Sequence, residues 1–384
     1  MYILRDFLLI CACCSFAYYA LAVISGFLFS RRARKLPSSP RPTPGVALLK
    51  PLHGCDDDLL LNLKSFMELD TGGAAMEYVF GVAHENDPAL KVIEEIRRLY
   101  PAARITVTVG DEPSANRKVG KLLRILQAPI SSEILVMSDA DVRVSRDYLW
   151  RILGELEGDP NVGMATCAYK GIAPAGGLGA RLESLFINTD FTPTAILSCY
   201  LEPMRHAFAA TVALRRSTLE AAGGLDTVKN AYGDDFALAR RVAALGYEIR
   251  LSSSIVTMVC EKLTFREFWR RQMRWARVDR KIRPVSLGRM LINGPFWALL
   301  VLLTPGLSIA GAVIAAIALG ARLGMAAWTY RRVLQLPVRL SDLLLTLLKD
   351  LLMQAVWISS LVGDTVEWRG RKLRLLETGE MEEV

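Results

Sequence analysis

Two pairs of carboxylates and one basic aromatic segment are the residues of this sequence best suited to chemistry. The first pair, Asp139 and Asp141, directly follows the apolar run at 133–137. Carboxylates at i and i+2 beyond a buried strand can bind Mg²⁺ or Mn²⁺, which complete their coordination with diphosphate oxygens and water. The alternative is an ordinary turn, where Asp is common because it hydrogen-bonds locally.

The second pair, Asp234 and Asp235, opens a helix that we predict over 237–245. Carboxylates at a helix start usually cap its free amide groups and interact favourably with the helix dipole. A general base that deprotonates a hydroxyl also requires a carboxylate on a rigid element at the edge of a cleft. The residues alone leave both interpretations open.

The basic aromatic segment at 265–281 is predicted to be a helix. Within it, Arg271 and Arg274 share one face because positions i and i+3 are neighbours, and Trp275 follows them. An arginine pair can neutralise a departing diphosphate, and an indole can cover a sugar or a lipid headgroup. The alternative is an amphipathic helix that lies on an anionic membrane surface, with Trp at the interface.

Two further residues stand where a predicted strand ends or a predicted helix begins. Asp87 follows the strand run at 77–82 and precedes Pro88, so it suits either a ligand or a helix cap. Lys118 opens the helix predicted after the strand run at 104–109, where it could contact a phosphate. Taken alone, such a lysine is usually a solvated surface residue.

Short apolar runs and helical patterns alternate in the segment that carries these residues. Strand runs lie at 46–49, 77–82, 104–109 and 133–137, and apolar spacing predicts a helix over 88–100. Such alternation predicts an α/β domain with parallel strands and ligands at their carboxyl ends. A proline-rich linker at 37–44 marks its entry.

Composition predicts that other segments lie in lipid. Hydrophobic residues make up 52% of the 384 residues, and the mean hydropathy is +0.27. Positions 7–30 carry no charge, and a basic cluster at 31–35 follows them, which favours an uncleaved anchor over a signal peptide and a cytosolic domain beyond it. The net charge of +8 suits an anionic membrane surface or a phosphate-bearing ligand, and we expect no nucleic acid partner.

The C-terminal third contains two more apolar blocks, from which we expect two to four membrane segments. Positions 290–321 are free of charge, and Pro305 and Gly306 divide them into one kinked span or two short passes. Positions 340–363 carry three charges, as in a span whose charges face protein or an interfacial helix. The predicted domains are an anchor at 1–35, a catalytic domain at 36–263, a basic interfacial helix at 264–288, membrane helices at 289–363 and a cytosolic tail at 364–384.

In this order, the motifs resemble the D, DxD, ED and (Q/R)xxRW set of membrane-bound GT-A glycosyltransferases of the family 2 type. The nearer resemblance is to ceramide glucosyltransferases (family 21). It covers nearly the whole chain, through the residues at 49–54, 86–89, 116–118, 138–144, 233–235, 271–275 and 364–373. It implies a GT-A fold with a Rossmann-like, mainly parallel sheet, plus one N-terminal and two to four C-terminal transmembrane or interfacial helices.

The resemblance also implies a donor site and a divalent metal, Mg²⁺ or Mn²⁺. Asp87 would hold the uridine part of a UDP-sugar, and Lys118 would contact the nucleotide. Asp139 and Asp141 would bind the diphosphate through the metal.

For the transfer step, the resemblance implies one base and a stabilised leaving group. Asp235 would take the proton of the acceptor hydroxyl, while Arg271, Arg274 and Trp275 would close over the diphosphate and the acceptor. The reaction would be a single displacement that inverts an α-linked donor into a β-glycoside on a membrane lipid. The protein would be a multi-pass membrane protein, in a bacterial inner membrane, with its catalytic domain in the cytosol.

The acceptor has two candidates. The first hypothesis is transfer from UDP-glucose to ceramide, giving β-glucosylceramide. However, eukaryotic ceramide enzymes carry a single Asp in the fourth-strand motif, whereas this chain carries two. The runs at 166–171, 185–188 and 209–216 look more like bacterial relatives, some of which are linked to hopanoid glycosylation from UDP-N-acetylglucosamine. Outside the enzymes, the alternative is an inactive membrane protein that binds nucleotide sugars or lipids.

Overall fold

The computed structural model describes residues 2–35, 45–304 and 308–384. These residues form two compact units, which we call the α/β unit and the helical unit. The α/β unit comprises Arg32–Pro174, Leu201–Glu261 and Leu376–Val384. The helical unit comprises Met1–Arg31, Ala175–Tyr200 and Lys262–Leu375. The predicted linker at 37–44 and the dividing residues Pro305 and Gly306 lie outside the described ranges.

The strands are numbered along the chain. They are β1 (Val46–Pro51), β2 (Met76–Val82), β3 (Arg104–Val109), β4 (Ile134–Ser138), β5 (Val142–Arg143), β6 (Val162–Ile172), β7 (Thr211–Arg215), β8 (Glu248–Val259), β9 (Thr365–Trp368), β10 (Arg371–Leu375) and β11 (Met381–Glu383).

The helices are numbered in the same way. They are α1 (Tyr2–Lys35), α2 (Leu59–Met67), α3 (Ala89–Leu99), α4 (Arg117–Leu126), α5 (Tyr148–Glu157), α6 (Leu178–Phe186), α7 (Thr192–Leu201), α8 (Arg216–Ala221), α9 (Asp234–Ala244), α10 (Phe265–Ile282), α11 (Gly294–Leu302), α12 (Ile309–Trp328) and α13 (Leu340–Ser360). Short π-helical turns lie at Ile187–Phe191 and Thr329–Val333.

The α/β unit is built on one mixed sheet with the strand order β3-β2-β1-β4-β7-β6-β8-β5. β1 pairs in parallel with β2 and β4, and β2 pairs in parallel with β3. β6 and β8 are also parallel, while β7 runs antiparallel to β4 and β6. The sheet is therefore mostly parallel, as predicted. The carboxyl ends of β1, β2 and β4 meet at one edge, where the sequence places Asp87 and Asp139.

Burial explains why these segments form the centre of the sheet. Every residue of β1 and β4 is buried, as expected for parallel strands that are covered on both faces. α3 confirms the helix predicted over 88–100, and it buries Ala89, Ile93 and Ile96 at helical spacing. α4 begins where the side chain of Asn116 accepts hydrogen bonds from the amides of Lys118 and Val119, which places Lys118 in its first turn.

The helical unit contains three helices that are long and apolar enough to cross a membrane, at Asp6–Ala33, Ile309–Val333 and Leu340–Ser360. A bent pair, Pro284–Met290 and Gly294–Leu302, would make a fourth segment if it counts as one span. The apolar block at 290–321 is divided, because α11 ends at Leu302 and α12 begins at Ile309. With nine residues, α11 alone is too short for a hydrocarbon layer of roughly 30 Å.

The charges in the middle of α13 face protein, as the first of the two predicted alternatives for this block requires. Lys349 and Asp350 are both buried. The Arg322 guanidinium of α12 donates to Asp350 (Nε to Oδ2, 2.7 Å), and Lys349 binds both Asp190 and Asp350. Ionisable groups within apolar helices are expensive unless they are paired in this way.

Candidate active site

Lys118 links the two acidic pairs of the α/β unit. Its Nζ lies 2.8 Å from Asp139 Oδ1 and 3.5 Å from Asp234 Oδ2. The side chain is 19% exposed, so the alternative of a solvated surface lysine is wrong. Burial by itself lowers the pKa of Lys118, but the carboxylates of Asp139 and Asp234 outweigh it and hold that pKa above its usual range. Lys118 is therefore a permanent cation between the two pairs.

The second acidic pair lies in the first turn of α9, which begins at Asp234 and not at 237 as predicted. The side-chain amide of Asn116 donates to Asp234 Oδ1 (3.2 Å), and the Phe236 amide donates to Asp235 Oδ1 (2.8 Å). Lys118, Asp234 and Asp235 border the same small cavity of about 20 Å³. The structure therefore brings these three predicted residues together.

Asp235 has the electrostatic character of a base that works at neutral pH. Burial raises the pKa of its carboxyl to about 7, the neighbouring charge of Asp234 adds to the rise, and Lys118 opposes it. A general base is most effective when its pKa lies close to the working pH. Strongly shifted groups at the edge of a cleft are also typical of functional sites.

Asp139 and Asp141 are the residues that the sequence predicts as metal ligands. Both are half-buried and follow β4 directly. Among residues 2–35, 45–304 and 308–384, no group of three or more His, Cys, Asp or Glu side chains could hold a metal ion. The two carboxylates are hard oxygen ligands, which suits Mg²⁺ or Mn²⁺ if a diphosphate and water supply the remaining positions. The residues present thus fit a metal that binds together with a nucleotide donor.

Asp87 acts in the fold as a local anchor for the backbone. It is buried, and its Oδ1 accepts hydrogen bonds from the amides of Gly54 (2.9 Å) and Ala89 (3.0 Å). These bonds join the segment after β1 to the start of α3, in agreement with the capping alternative. Its Oδ2 lies 3.9 Å from Nδ1 of His53. The contact with uridine stays a prediction.

Lys50 lies in a run that carries the family resemblance, but the sequence assigned it no role; it is fully buried at the carboxyl end of β1. Its Nζ donates to the backbone carbonyl of Asp139 (2.6 Å) and lies 4.0 Å from the ring centroid of Phe66. Burial lowers the pKa of Lys50 to about 7, although Asp139 and Asp141 oppose the shift. The signal for this residue was a lysine inside a strand that is otherwise apolar.

The Arg-Trp motif lies in the helical unit, on α10. Arg271 donates to both oxygens of the buried carboxylate of Glu183, at 3.1 Å each. The guanidinium of Arg274 stands over the ring of Trp368 at 5.2 Å, and burial, with Arg271 nearby, lowers the pKa of Arg274 to about 10. Trp275 lies against Phe186, with 5.9 Å between the ring centroids.

Much of the remaining positive charge of α10 is used within the same unit. Arg270 pairs with Glu367 (2.6 Å), and Arg280 pairs with Asp364 (2.6 Å). Arg277 donates to the carbonyls of Val362 and Thr365. The segment around β9 therefore supplies carboxylates and carbonyls that bind arginines of α10. This pairing reduces the positive charge that α10 could present to an anionic membrane surface.

Comparison with known proteins places this arrangement in a family. Residues 7–381 match the sequence model of Glycosyl transferase family 21. The chain is 25% identical to "Probable glycosyltransferase YdaM" of Bacillus subtilis over 65% of its length and 58% of the relative. It is 21% identical to "Ceramide glucosyltransferase 1" of Caenorhabditis elegans over 67% of its length and 53% of the relative. The chain thus spans little more than half of these relatives.

Among solved structures, the chain is similar to a mannosyltransferase from Pyrobaculum calidifontis in complex with GDP-Man and Mn²⁺. The TM-score is 0.51 at 20% sequence identity, with 92% of this chain and 99% of the other covered. This likeness concerns the fold, and it confirms the predicted GT-A architecture.

Proposed function

The chain belongs to glycosyl transferase family 21, and on that premise we propose that it transfers a hexose from a UDP-sugar to a hydroxyl group of a membrane lipid. The relatives named as ceramide glucosyltransferases support ceramide as the acceptor and glucose as the transferred sugar. That the glucose comes from UDP-glucose is what the motif resemblance implies. The product would be a β-glucoside, formed by a single displacement with inversion.

One observation carries the proposal: a carboxyl with a pKa near neutrality, Asp235, lies in the same cluster as the acidic pair that suits a metal-bound diphosphate. Lys118 connects the two parts, since it binds Asp139 and Asp234. A base and a leaving-group site are the two requirements of an inverting transfer. A protein that only binds a nucleotide sugar has no need of a carboxyl with the pKa of Asp235.

On the donor side, Asp139 and Asp141 would hold a divalent cation. When bound, the metal neutralises the charge that develops on the diphosphate as it leaves. Lys118 adds a fixed positive charge next to Asp139. For Arg271, Arg274 and Trp275, on α10 of the helical unit, the resemblance implies contact with the diphosphate and the acceptor, and these roles stay predictions.

On the acceptor side, Asp235 takes the proton from the lipid hydroxyl as its oxygen attacks the anomeric carbon. The new bond joins that oxygen to the anomeric carbon, and the bond from this carbon to the diphosphate oxygen breaks. The electron pair leaves with UDP, and the proton stays on Asp235 until it passes to solvent. Because attack and departure occur on opposite faces, an α-linked donor gives a β-linked product.

A lipid acceptor agrees with the composition of the helical unit, in which three helices are long and apolar enough to cross a membrane. We propose that these helices hold the protein in the bilayer and that the α/β unit lies on the cytosolic side, where nucleotide sugars are made. The basic cluster after the first apolar segment supports this orientation.

A matrix of donors and acceptors tests the proposal. Full-length protein in detergent is incubated with UDP-glucose or UDP-N-acetylglucosamine and with ceramide or bacteriohopanetetrol, with and without EDTA. We expect EDTA-sensitive glucosylceramide from the wild type and none from Asp235→Asn. A glycosylated hopanoid would instead favour the bacterial alternative. The presence of both Asp139 and Asp141 supports that alternative, because eukaryotic ceramide enzymes carry a single Asp in this motif. Failure of every donor would reject the catalytic role of these carboxylates.

A further inference from the structure

The turn that carries Asp139 and Asp141 is held by its backbone carbonyls. The carbonyl of Asp139 accepts a hydrogen bond from Lys50 Nζ (2.6 Å), and that of Ala140 accepts one from Asn62 Nδ2 (3.3 Å). The carbonyl of Asp141 accepts one from the amide of Val259 (2.9 Å). Three successive carbonyls are thus bound by donors from three different elements, β1, α2 and β8.

The buried position of Lys50 directs its Nζ to the start of this turn. It is fully buried, and its ammonium group reaches past the end of β1 to the Asp139 carbonyl and the Ser138 hydroxyl (3.4 Å). The amide of Val142 also donates to the Asp139 carbonyl, at 3.4 Å, so Lys50 is its closer donor. A buried long cationic side chain is uncommon, and burying it is costly unless a specific partner compensates. This lysine can donate to the carbonyl whether or not it is ionised.

Asn62 plays the same part from α2. The buried face of this helix consists of Leu59, Asn62, Leu63 and Phe66, so the amide replaces an apolar side chain in the core. Its Oδ1 accepts a hydrogen bond from Arg143 Nε (3.2 Å), which orients the amide so that Nδ2 points at the Ala140 carbonyl. Neither the hydrophobic core nor α2 itself requires a polar group at this position.

We infer that Lys50 and Asn62 are positioning residues that fix the Asp139–Asp141 turn so that both carboxylates present one rigid pair to a metal-bound sugar nucleotide. The inference rests on the proposed function, because it takes these carboxylates as the donor site. Binding sites of this kind need their ligands within about 0.5 Å of the productive geometry. A turn held only by its own short backbone bonds would not supply that rigidity.

The test compares two variants with a matched control. Lys50→Met and Asn62→Leu remove the two donors and keep similar volumes. Lys121→Met is the control, because Lys121 is also a buried lysine. Its Nζ donates to a carbonyl outside the Asp139–Asp141 turn, that of Leu52 (2.8 Å). Binding of UDP to the full-length protein is measured by isothermal titration calorimetry at saturating Mn²⁺ and again in EDTA, and thermal unfolding is followed for each variant.

We expect Lys50→Met and Asn62→Leu each to weaken Mn²⁺-dependent UDP binding by about tenfold, as for the loss of one strong hydrogen bond. Lys121→Met should bind like the wild type even if its melting temperature falls. If all three variants bind UDP as the wild type does, or all three lose affinity equally, the inference is overturned. The assignment of Asp139 and Asp141 to the donor site would still stand. Failure of both donor variants to fold would also overturn it, because the residues would then build the unit instead of positioning the turn. A wild type that binds no UDP with Mn²⁺ would reject the donor site itself.

Discussion

The substitution Asp234→Asn tests the proposal that Asp235 is the catalytic base. In the wild type, burial raises the pKa of Asp235 to about 7, and the charge of Asp234 contributes to that value. The substitution removes this negative charge and keeps the shape of the side chain. It also leaves Lys118 with one acidic partner fewer. Both effects favour the ionised form of Asp235, so its pKa should fall.

The size of the effect follows from the ionised fraction of the base. A carboxyl with a pKa of about 7 is roughly 9% ionised at pH 6, and one whose pKa is lower by about one unit is roughly half ionised. Relative to its own plateau at high pH, the activity of Asp234→Asn at pH 6 should therefore exceed that of the wild type by about fivefold.

The assay is kcat/KM for UDP release with the donor and acceptor that the matrix identifies, measured from about pH 5.5 to about pH 9 to cover the titration of the base. The wild type should lose activity as the pH falls through about 7, because Asp235 becomes protonated. Glu94→Gln is the control, since it removes an exposed carboxylate that pairs with Arg97 on α3. An acid limb that stays in place or moves to higher pH in Asp234→Asn would refute Asp235 as the base.

Three further substitutions have defined outcomes. Met381→Pro removes the amide that donates to the Asn230 carbonyl (2.8 Å), just before the second acidic pair. Because this loss should displace the proposed base, kcat should fall about tenfold, while Met381→Leu should stay near the wild type. Glu183→Gln takes the buried carboxylate from Arg271 and should lower the free energy of unfolding in urea by about 2 kcal/mol; an unchanged midpoint would contradict this. Asp350→Ala leaves two buried cations without this partner and should cost about 3–5 kcal/mol, seen as a lower melting temperature in detergent.

The secondary-structure elements and the order of the motifs could be predicted from the sequence, because both depend on local patterns. Short apolar runs marked β1, β2 and β4, since parallel strands covered on both faces need no polar alternation. The alternating Ile-Thr-Val-Thr-Val run marked β3, which lies at the edge of the sheet. The charge-free block at 7–30 likewise marked the first of the helices that are long and apolar enough to cross a membrane. The positions of Asp87 and Asp139 at the carboxyl edge followed from the strand ends alone.

The tertiary structure alone decided which side chains meet and how they titrate. Lys118 looked like a surface lysine until the fold brought Asp139 and Asp234 to it from distant parts of the chain. Lys50 and Asn62 received no role from the sequence, because their carbonyl partners lie in a remote segment of the chain. Residue types and spacing record periodicity, but a hydrogen bond between remote segments and the pKa of a buried carboxyl depend on distance and burial, which exist only once the chain has folded.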